Sequence, residues 1–222
     1  QFAPAQKQMK IVVLNDRSTK MKPYNDELKE LINIYLKKLK SYDRVKVINF
    51  GNKMVDMQPF INGRLKTLQA ITNESYSTEA RLGKSFYEAI NKASSNNQKS
   101  RVLLITNGDL DENAFAPYGL ETLLNYAKNN NVPVFVLCFG NGPRVEELTL
   151  LAKKTNAKFI LASGSNDIYK LEEIMRNQND TYYLMEYTTQ AASVFAKKAW
   201  RTVRIQVNYK DLFGVDKGGY FI

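Results

Sequence analysis

The sequence predicts an α/β protein with a doubly wound, mostly parallel central sheet, helices on both faces of it, and a small antiparallel β appendage. Up to about residue 175, short runs of apolar, β-branched residues alternate with segments whose apolar residues recur at helical spacing. Strands separated by helices of this length need crossover connections, which favour parallel pairing. After residue 178 the apolar pattern changes to period 2 without an intervening helix, which predicts the appendage.

Six strands are predicted in the first part of the chain. Most are continuous apolar runs, the pattern of strands that are covered on both faces. Pro59 cannot donate a ladder hydrogen bond, so the segment that contains it is predicted to lie at a sheet edge. The six segments are residues 9–15, 44–50, 55–61, 102–106, 132–139 and 158–162.

Helices are predicted between these strands. The first opens at Pro23 and Asn25, because proline suits the first turn of a helix. A short helix is predicted over residues 62–72. The others are indicated by apolar stripes at Leu82–Ile90, Leu120–Ala127, Val145–Ala152 and Ile168–Met175.

The last 44 residues differ from the rest. Residues 182–189 and 201–209 alternate at period 2, residues 190–200 join them with room for one helical turn, and residues 218–222 end the chain. Such a unit is too small to bury a core alone. We therefore predict a main domain over residues 1–178 and a β extension over residues 179–222 that packs on it.

Composition excludes most catalytic chemistry. The chain has 222 residues, 1 Cys and no His. It therefore has no Ser-His-Asp or Cys-His machinery, no His-ligated zinc and no internal disulfide. No apolar run approaches about 18 residues, so no membrane span is predicted. The chain begins at Gln1 without a signal peptide, which indicates a segment of a longer protein.

The net charge of +10 is concentrated in the first half, where residues 1–100 hold 18 basic and 9 acidic side chains. A basic face could meet nucleic acid, anionic lipid or an acidic protein. No arginine-rich or aromatic-interleaved stripe accompanies it, which favours a solvated lysine-rich surface and argues against nucleic acid.

Two loops at predicted strand ends carry oxygen-bearing side chains. In an open α/β sheet the ligand site lies beyond the carboxyl ends of the strands. The first loop holds Asp16, Ser18 and Thr19, and the second holds Asn107, Asp109 and Asp111. Such oxygens suit a hard divalent cation. Neither GxGxxG nor GxxxxGK[ST] occurs, and residues 139–144 are interpreted as a tight turn with Pro143 at a helix start.

The segments IVVLNDRSTKM, LLITNGDLDE and VPVFVLCFGNGPRVEELTLLAKKTNAKFILA, taken in order, resemble a von Willebrand factor type A domain. The resemblance runs over roughly residues 9–175, and the tail is similar to the β extension of many bacterial secreted or surface proteins. It implies a Rossmann-like fold. It also implies a metal-ion-dependent adhesion site built from Asp-x-Ser-x-Ser, a Thr, and an Asp in a Thr-Asp-Gly turn.

Matched residue by residue to this motif, the implied site is degenerate. Asp16 and Ser18 match, whereas Lys20 stands at the third position. The threonine position falls at Ala80, with Thr78 close enough to substitute, and Asn107 replaces the aspartate. The residual metal set is therefore Asp16, Ser18, Thr78 and Asn107, and the residues that disrupt it are Lys20 and Ala80.

The lysine is more than a missing ligand, because its ammonium repels a divalent cation. We expect it to occupy or border the ion position, offsetting Asp16 and held by oxygens of Asn107 and Ser18. No cofactor is then expected, although Mg²⁺ or another divalent cation is the ligand that an intact site would take. Arg17, Asp109 and Asp111 are predicted partner contacts.

These observations predict a non-catalytic protein-interaction or adhesion module of a larger bacterial protein at the cell surface or in the periplasm. It would bind a protein partner through loops at the strand carboxyl ends, independently of metal, within a larger assembly. The alternatives are an enzyme that binds a nucleotide or phosphate on a doubly wound core, and a structural spacer domain.

Overall fold

The computed structural model describes residues 8–73, 75–94, 99–177, 200–209 and 212–221. The chain divides into two compact units, Gln1–Asp180 and Thr181–Ile222. The first unit holds a sheet with its helices, and the second holds a two-stranded β ribbon.

The first unit is built on a six-stranded sheet in the order β3-β2-β1-β4-β5-β6. All of its neighbouring strands are parallel except β3, which runs antiparallel to β2. The predicted fold class is confirmed. The strands are β1 (Met9–Asp16), β2 (Arg44–Phe50), β3 (Val55–Asp56), β4 (Lys99–Thr106), β5 (Val134–Cys138) and β6 (Phe159–Leu161).

Six α-helices connect these strands among the described residues. Helices α1, α2 and α6 cover one face of the sheet, and α3, α4 and α5 cover the other. Their bounds are α1 (Asn25–Lys38), α2 (Arg64–Thr72), α3 (Gly83–Ser94), α4 (Leu120–Asn129), α5 (Val145–Lys154) and α6 (Ser165–Asn177).

The central strand β1 shows why the apolar runs are continuous. Ile11 and Val13 enter the core beneath α1, α2 and α6, whereas Val12 and Leu14 enter the core beneath α3, α4 and α5. Successive side chains of a strand point to opposite faces, so a strand covered on both sides must be apolar at every position. The strand ends at Asp16, which lies beyond both cores at the carboxyl edge of the sheet.

The edge strand is shorter than predicted. β3 comprises Val55–Asp56 alone, and the rest of residues 55–61 contributes an isolated antiparallel bridge between Val45 and Ile61. Pro59 has no N–H to donate. The Val45 carbonyl oxygen accepts the backbone N–H of Ile61 at 3.0 Å and also the side-chain amide of Gln58 at 3.4 Å.

The connection from β1 to α1 contains an element that the sequence pattern missed. A 3₁₀ helix spans Thr19–Tyr24 and contains Pro23, and α1 begins at Asn25. Met21 anchors this helix, since its side chain is 1% exposed. The 3₁₀ helix therefore holds the first loop against the domain.

The second unit is an antiparallel ribbon of β7 (Trp200–Tyr209) and β8 (Leu212–Phe221), with Trp200 opposite Phe221 and Tyr209 opposite Leu212. β8 is longer than the predicted piece at residues 218–222. Glycine and charged residues are depleted in strands, so its central sequence obscured it. The strand predicted at residues 182–189 and the turn at 190–199 lie outside the described residues, and the packing of this unit on the first stays a prediction.

Candidate functional site

The carboxyl ends of β1 and β4 are joined by the side chain of Asp16. Its Oδ1 accepts the backbone N–H of Ser18 at 2.8 Å, and its Oδ2 accepts the hydroxyl of Thr106 at 2.8 Å. The Thr106 oxygen in turn accepts the N–H of Gly108 at 3.2 Å. One carboxylate thus shapes the first residues of both loops.

Asp16 is fully buried. Burial raises the pKa of its carboxyl above the usual 3.8, and the bonds from Ser18 and Thr106 and the charge of Lys20 lower the pKa only in part. No basic side chain forms an ion pair with it in the described part of the chain. The Asp16 carboxylate therefore depends on hydrogen bonds for its solvation.

Lys20 lies at the site, but its partners differ from the expected ones. Its ammonium donates to Asp109 Oδ1 at 2.9 Å and to the Asp109 carbonyl oxygen at 3.2 Å, and lies 3.8 Å from Asp111 Oδ1. Asn107 binds the Lys20 backbone instead, through its Nδ2 and the Lys20 carbonyl oxygen at 3.1 Å. Carboxylates attract the ammonium more strongly than neutral oxygens do.

Asn107 and Ser18 take other roles. Asn107 Oδ1 accepts the N–H of Asp109 at 3.1 Å, so this side chain shapes its own loop. The Ser18 hydroxyl oxygen is buried, and none of the described residues offers it a hydrogen bond of good geometry. Neither residue holds the ammonium, which corrects the expectation drawn from the motif.

Ala80 and Thr78 lie in different surroundings. Ala80 is buried, and its backbone exchanges hydrogen bonds with Asp111: its N–H donates to Asp111 Oδ2 at 3.0 Å, and its carbonyl accepts the Asp111 N–H at 3.4 Å. Thr78 is exposed. Asp111 therefore connects Lys20 to the segment before α3.

Ser77 is a residue that sequence reasoning missed. It forms a parallel bridge with Ser18, because its carbonyl accepts the N–H of Thr19 at 2.7 Å and its N–H donates to the Arg17 carbonyl at 2.8 Å. A Cβ on Gly51 would lie 2.0 Å from the Ser77 hydroxyl oxygen, so glycine is needed there. No sequence motif marks this contact, which depends on the close approach of two loops.

Arg17 is buried, at 4% exposed, and is not the surface contact that was predicted. Its guanidinium carbon lies 4.0 Å from the centre of the Tyr76 ring, and its Nη1 donates to the Ile71 carbonyl at 3.3 Å. Asn15 binds the same carbonyl, and Asn49 binds that of Ala70. These side chains cap the last turn of α2, where a positive charge also suits the helix dipole.

A second arginine holds the loop after β4. Arg144 donates to Glu147 Oε1 at 2.6 Å and to the carbonyl oxygens of Asp111 and Glu112 at 3.4 and 2.5 Å. The sequence pattern predicts only a tight turn before a helix over residues 139–144. The signal in the sequence is the position of Arg144 just before Glu146 and Glu147 in the first turn of α5, which favours an ion pair at this helix start.

The residues present do not fit a divalent cation. Asp16 is the only carboxylate of the implied set, and each of its oxygens already accepts a hydrogen bond. Asp109 and Asp111 face the Lys20 ammonium. The Ser18 hydroxyl oxygen would be one neutral ligand, which does not offset the repulsion between the Lys20 ammonium and a cation. No group of three or more acidic, Cys or His side chains suited to a metal occurs among the described residues.

Comparisons with known proteins identify the fold. No family model and no curated protein matches the sequence. A von Willebrand factor type A protein from Catenulispora acidiphila is 16% identical over 78% of this chain and 42% of its own, with a TM-score of 0.62. BatB from Bacteroides thetaiotaomicron is 19% identical over 75% of this chain and 96% of its own, with a TM-score of 0.57.

A further similar structure is the D319A mutant of the PilB minor pilin from Streptococcus sanguinis, 14% identical over 78% of this chain, with a TM-score of 0.59. This chain covers 42% of the length of the Catenulispora protein and 62% of the length of the PilB minor pilin. The first unit therefore has the von Willebrand factor type A fold. No helix in the described residues is long and apolar enough to cross a membrane.

The Asp16→Asn variant tests the buried carboxyl. Because the folded pKa is raised, the folded state binds more protons than the unfolded state above pH 3.8, and stability falls as pH rises through this window. Asn keeps the acceptor for Ser18 but cannot ionise. We expect its stability relative to wild type to increase from about pH 4 to about pH 7, by about 1.4 kcal/mol for each unit by which the pKa is raised.

Denaturant unfolding at both pH values measures this difference, and Asp26→Asn, at a carboxylate that is 98% exposed, controls for loss of a surface charge. A difference between wild type and Asp16→Asn that does not change with pH would contradict the prediction.

The Gly142→Ala variant tests how closely the loops pack. A Cβ at Gly142 would lie 2.2 Å from the carbonyl carbon of Gly108 and 2.4 Å from the amide nitrogen of Asp109. Backbone must then move, and we expect a loss of about 1 to 3 kcal/mol in unfolding free energy. Gly164→Ala is the matched control, because a Cβ there meets nothing within 4 Å, and it should change stability by less than about 1 kcal/mol. Equal effects of the two variants would refute this account.

Proposed function

We propose that this chain is a non-catalytic protein-interaction module that binds its partner through the loops after β1 and β4 without a metal ion. The observation that carries the proposal is the contact of the Lys20 ammonium with Asp109 at 2.9 Å and with Asp111 at 3.8 Å. In this arrangement a lysine of one loop neutralises carboxylates of the other. The two loops are linked by groups of the chain itself.

The same groups are available to a partner. The side chains of Lys20, Asp109 and Asp111 are 34%, 42% and 29% exposed. The Asn107 side chain binds the backbone carbonyl of Lys20 and the backbone N–H of Asp109. The backbone N–H of Ala80 binds the Asp111 carboxylate, so all three charged residues are held in place. Charged groups that are already ordered lose little conformational entropy on binding, which favours recognition of a partner with complementary charge.

Similar proteins support an extracytoplasmic setting within a larger assembly. They include the minor pilin, a type V pili tip protein from Porphyromonas gingivalis with a TM-score of 0.61, and an aerotolerance-related membrane protein from Bacteroides fragilis with a TM-score of 0.58. We infer that this chain likewise works as part of a larger bacterial protein at the surface or in the periplasm.

The acid–base inventory supports binding rather than turnover. The chain has no His. Asp16 has a raised pKa, but its carboxylate is buried and both of its oxygens accept hydrogen bonds from the chain. A general base must reach the proton that it removes.

A metal titration tests the proposed independence from metal. We expect calorimetry to detect no Mg²⁺ or Mn²⁺ binding by the wild-type chain at millimolar concentration. The triple variant Lys20→Ser, Ala80→Thr and Asn107→Asp removes the ammonium and restores three ligands. It should bind with a dissociation constant of about 10⁻⁴ to 10⁻³ M.

Lys53→Ser removes the same charge from another exposed position and should leave the titration unchanged. Micromolar binding by the wild-type chain would overturn the metal-independent site. Circular dichroism shows whether the triple variant is folded.

Affinity capture from an envelope extract of the source organism tests the interaction itself. We expect the same partner to be recovered in EDTA and in Mg²⁺, because no cation is needed. Asp109→Lys should reduce recovery severalfold, since it reverses a charge at the site. Asp26→Lys, which makes the same change on α1, should not. A partner that is recovered only with Mg²⁺, or recovered equally by all variants, would contradict binding through these loops.

A further inference from the structure

A cluster of cations lies at the opposite end of the sheet from these loops. It is formed by the end of α1, the start of β2 and the start of α2. Hydrogen bonds hold these elements together: Arg64 donates to the Leu39 carbonyl at 3.4 Å, and Asn62 donates to the Ser41 carbonyl at 3.1 Å. We call this surface the basic patch, and its cations are Lys37, Lys40, Arg44, Arg64 and Lys66.

The charge of the basic patch is uncompensated. Arg44 and Arg64 donate only to backbone carbonyls, and no carboxylate pairs with any of the five cations within the described residues. The nearby Asp43 is 2% exposed and already binds Arg176 at 2.7 Å and the N–H of Met9 at 3.1 Å. Five like charges on one surface repel one another, which destabilises the fold unless a partner neutralises them.

The start of α2 strengthens this argument. Helix N-termini favour acidic residues, but the first turn of α2 has none and instead carries Arg64 and Lys66. Its N-cap is Gly63, which offers no side-chain acceptor. The positive end of the helix dipole thus adds to the cations, whereas the lysines at the end of α1 lie where the dipole favours them.

An apolar side chain lies among these cations. Leu65, between Arg64 and Lys66, is 68% exposed, the highest value among the large hydrophobic side chains described. A lone cationic surface suits a polyanion of any kind. A leucine exposed between cations suits a lipid bilayer, in which an anionic headgroup layer covers an apolar interior.

We propose that the basic patch binds the surface of a bilayer that contains anionic phospholipid. The five cations contact the phosphate headgroups, and Leu65 enters the boundary between headgroups and acyl chains. Nucleic acid and an acidic protein offer no apolar layer for Leu65 behind their charge. Because the patch lies at the amino ends of the strands, this contact would direct the loops after β1 and β4 away from the membrane.

Vesicle sedimentation of the full 222-residue chain tests the proposal. The probes are vesicles of phosphatidylcholine alone and of phosphatidylcholine with about one third phosphatidylglycerol. We expect binding to the anionic vesicles only, with weakening at high salt because the headgroup contacts are electrostatic. Each basic residue near such a surface adds about fivefold in affinity, so Arg64→Glu with Lys66→Glu should lower it by about 25-fold or more.

Matched variants separate the patch from general charge and hydrophobicity. Lys53→Glu with Lys84→Glu makes the same charge change at exposed positions near the carboxyl ends of the strands and should have a much smaller effect. Leu65→Ser should weaken vesicle binding several-fold, whereas Leu150→Ser, at a side chain 43% exposed on α5, should not. Thermal unfolding confirms that each variant is folded.

The proposal is overturned by equal binding to both kinds of vesicle, by binding to neither, or by equal losses in the two charge-reversed pairs. Binding of duplex DNA that Leu65→Ser leaves unchanged, without vesicle binding, would identify a nucleic-acid surface instead. An unaltered affinity of Leu65→Ser for vesicles would also contradict it, because entry of Leu65 into the bilayer is part of the claim.

Discussion

The buried Asp16 carboxylate is the interaction on which the arrangement of the loops depends. It lies at the end of β1 and accepts hydrogen bonds from Ser18 in its own loop and from Thr106 at the end of the neighbouring strand β4. A buried carboxylate without a paired cation is costly, so these bonds must persist in the folded state. These hydrogen bonds thereby hold the loops after β1 and β4 next to each other at the carboxyl edge of the sheet.

Around this carboxylate, charged side chains connect the loops directly. Lys20 contacts Asp109 and Asp111, and Asp111 contacts the backbone of Ala80. Arg144 binds the same loop from the start of α5. The side chains of these ion pairs are 22% to 42% exposed, and each pair adds little stability by itself. Their combined effect is to order a charged surface, which is what the proposed partner binding needs.

The two ends of the sheet carry different chemistry. At the carboxyl ends, the cation Lys20 is neutralised by acidic side chains. At the amino ends, no carboxylate in the described part of the chain pairs with the cations of the basic patch, and Leu65 is exposed among them. The net charge of the chain does not reveal this difference, because both surfaces contain lysines and only their pairing with carboxylates differs. The two proposed contacts use opposite ends of the sheet, so neither would block the other.

The order of strands and helices follows from the residue pattern alone, because an apolar run covered on both faces and an amphipathic helix have distinct periods. This pattern also located the site residues Asp16, Lys20 and Asn107 at strand ends. Which groups meet at these strand ends depends on how distant segments of the chain pack together. Lys20 pairs with Asp109 rather than with Asn107, Arg17 is buried under Tyr76, and Ser77 bridges Ser18. These contacts join residues far apart in the chain, and local pattern carries no information about such distances.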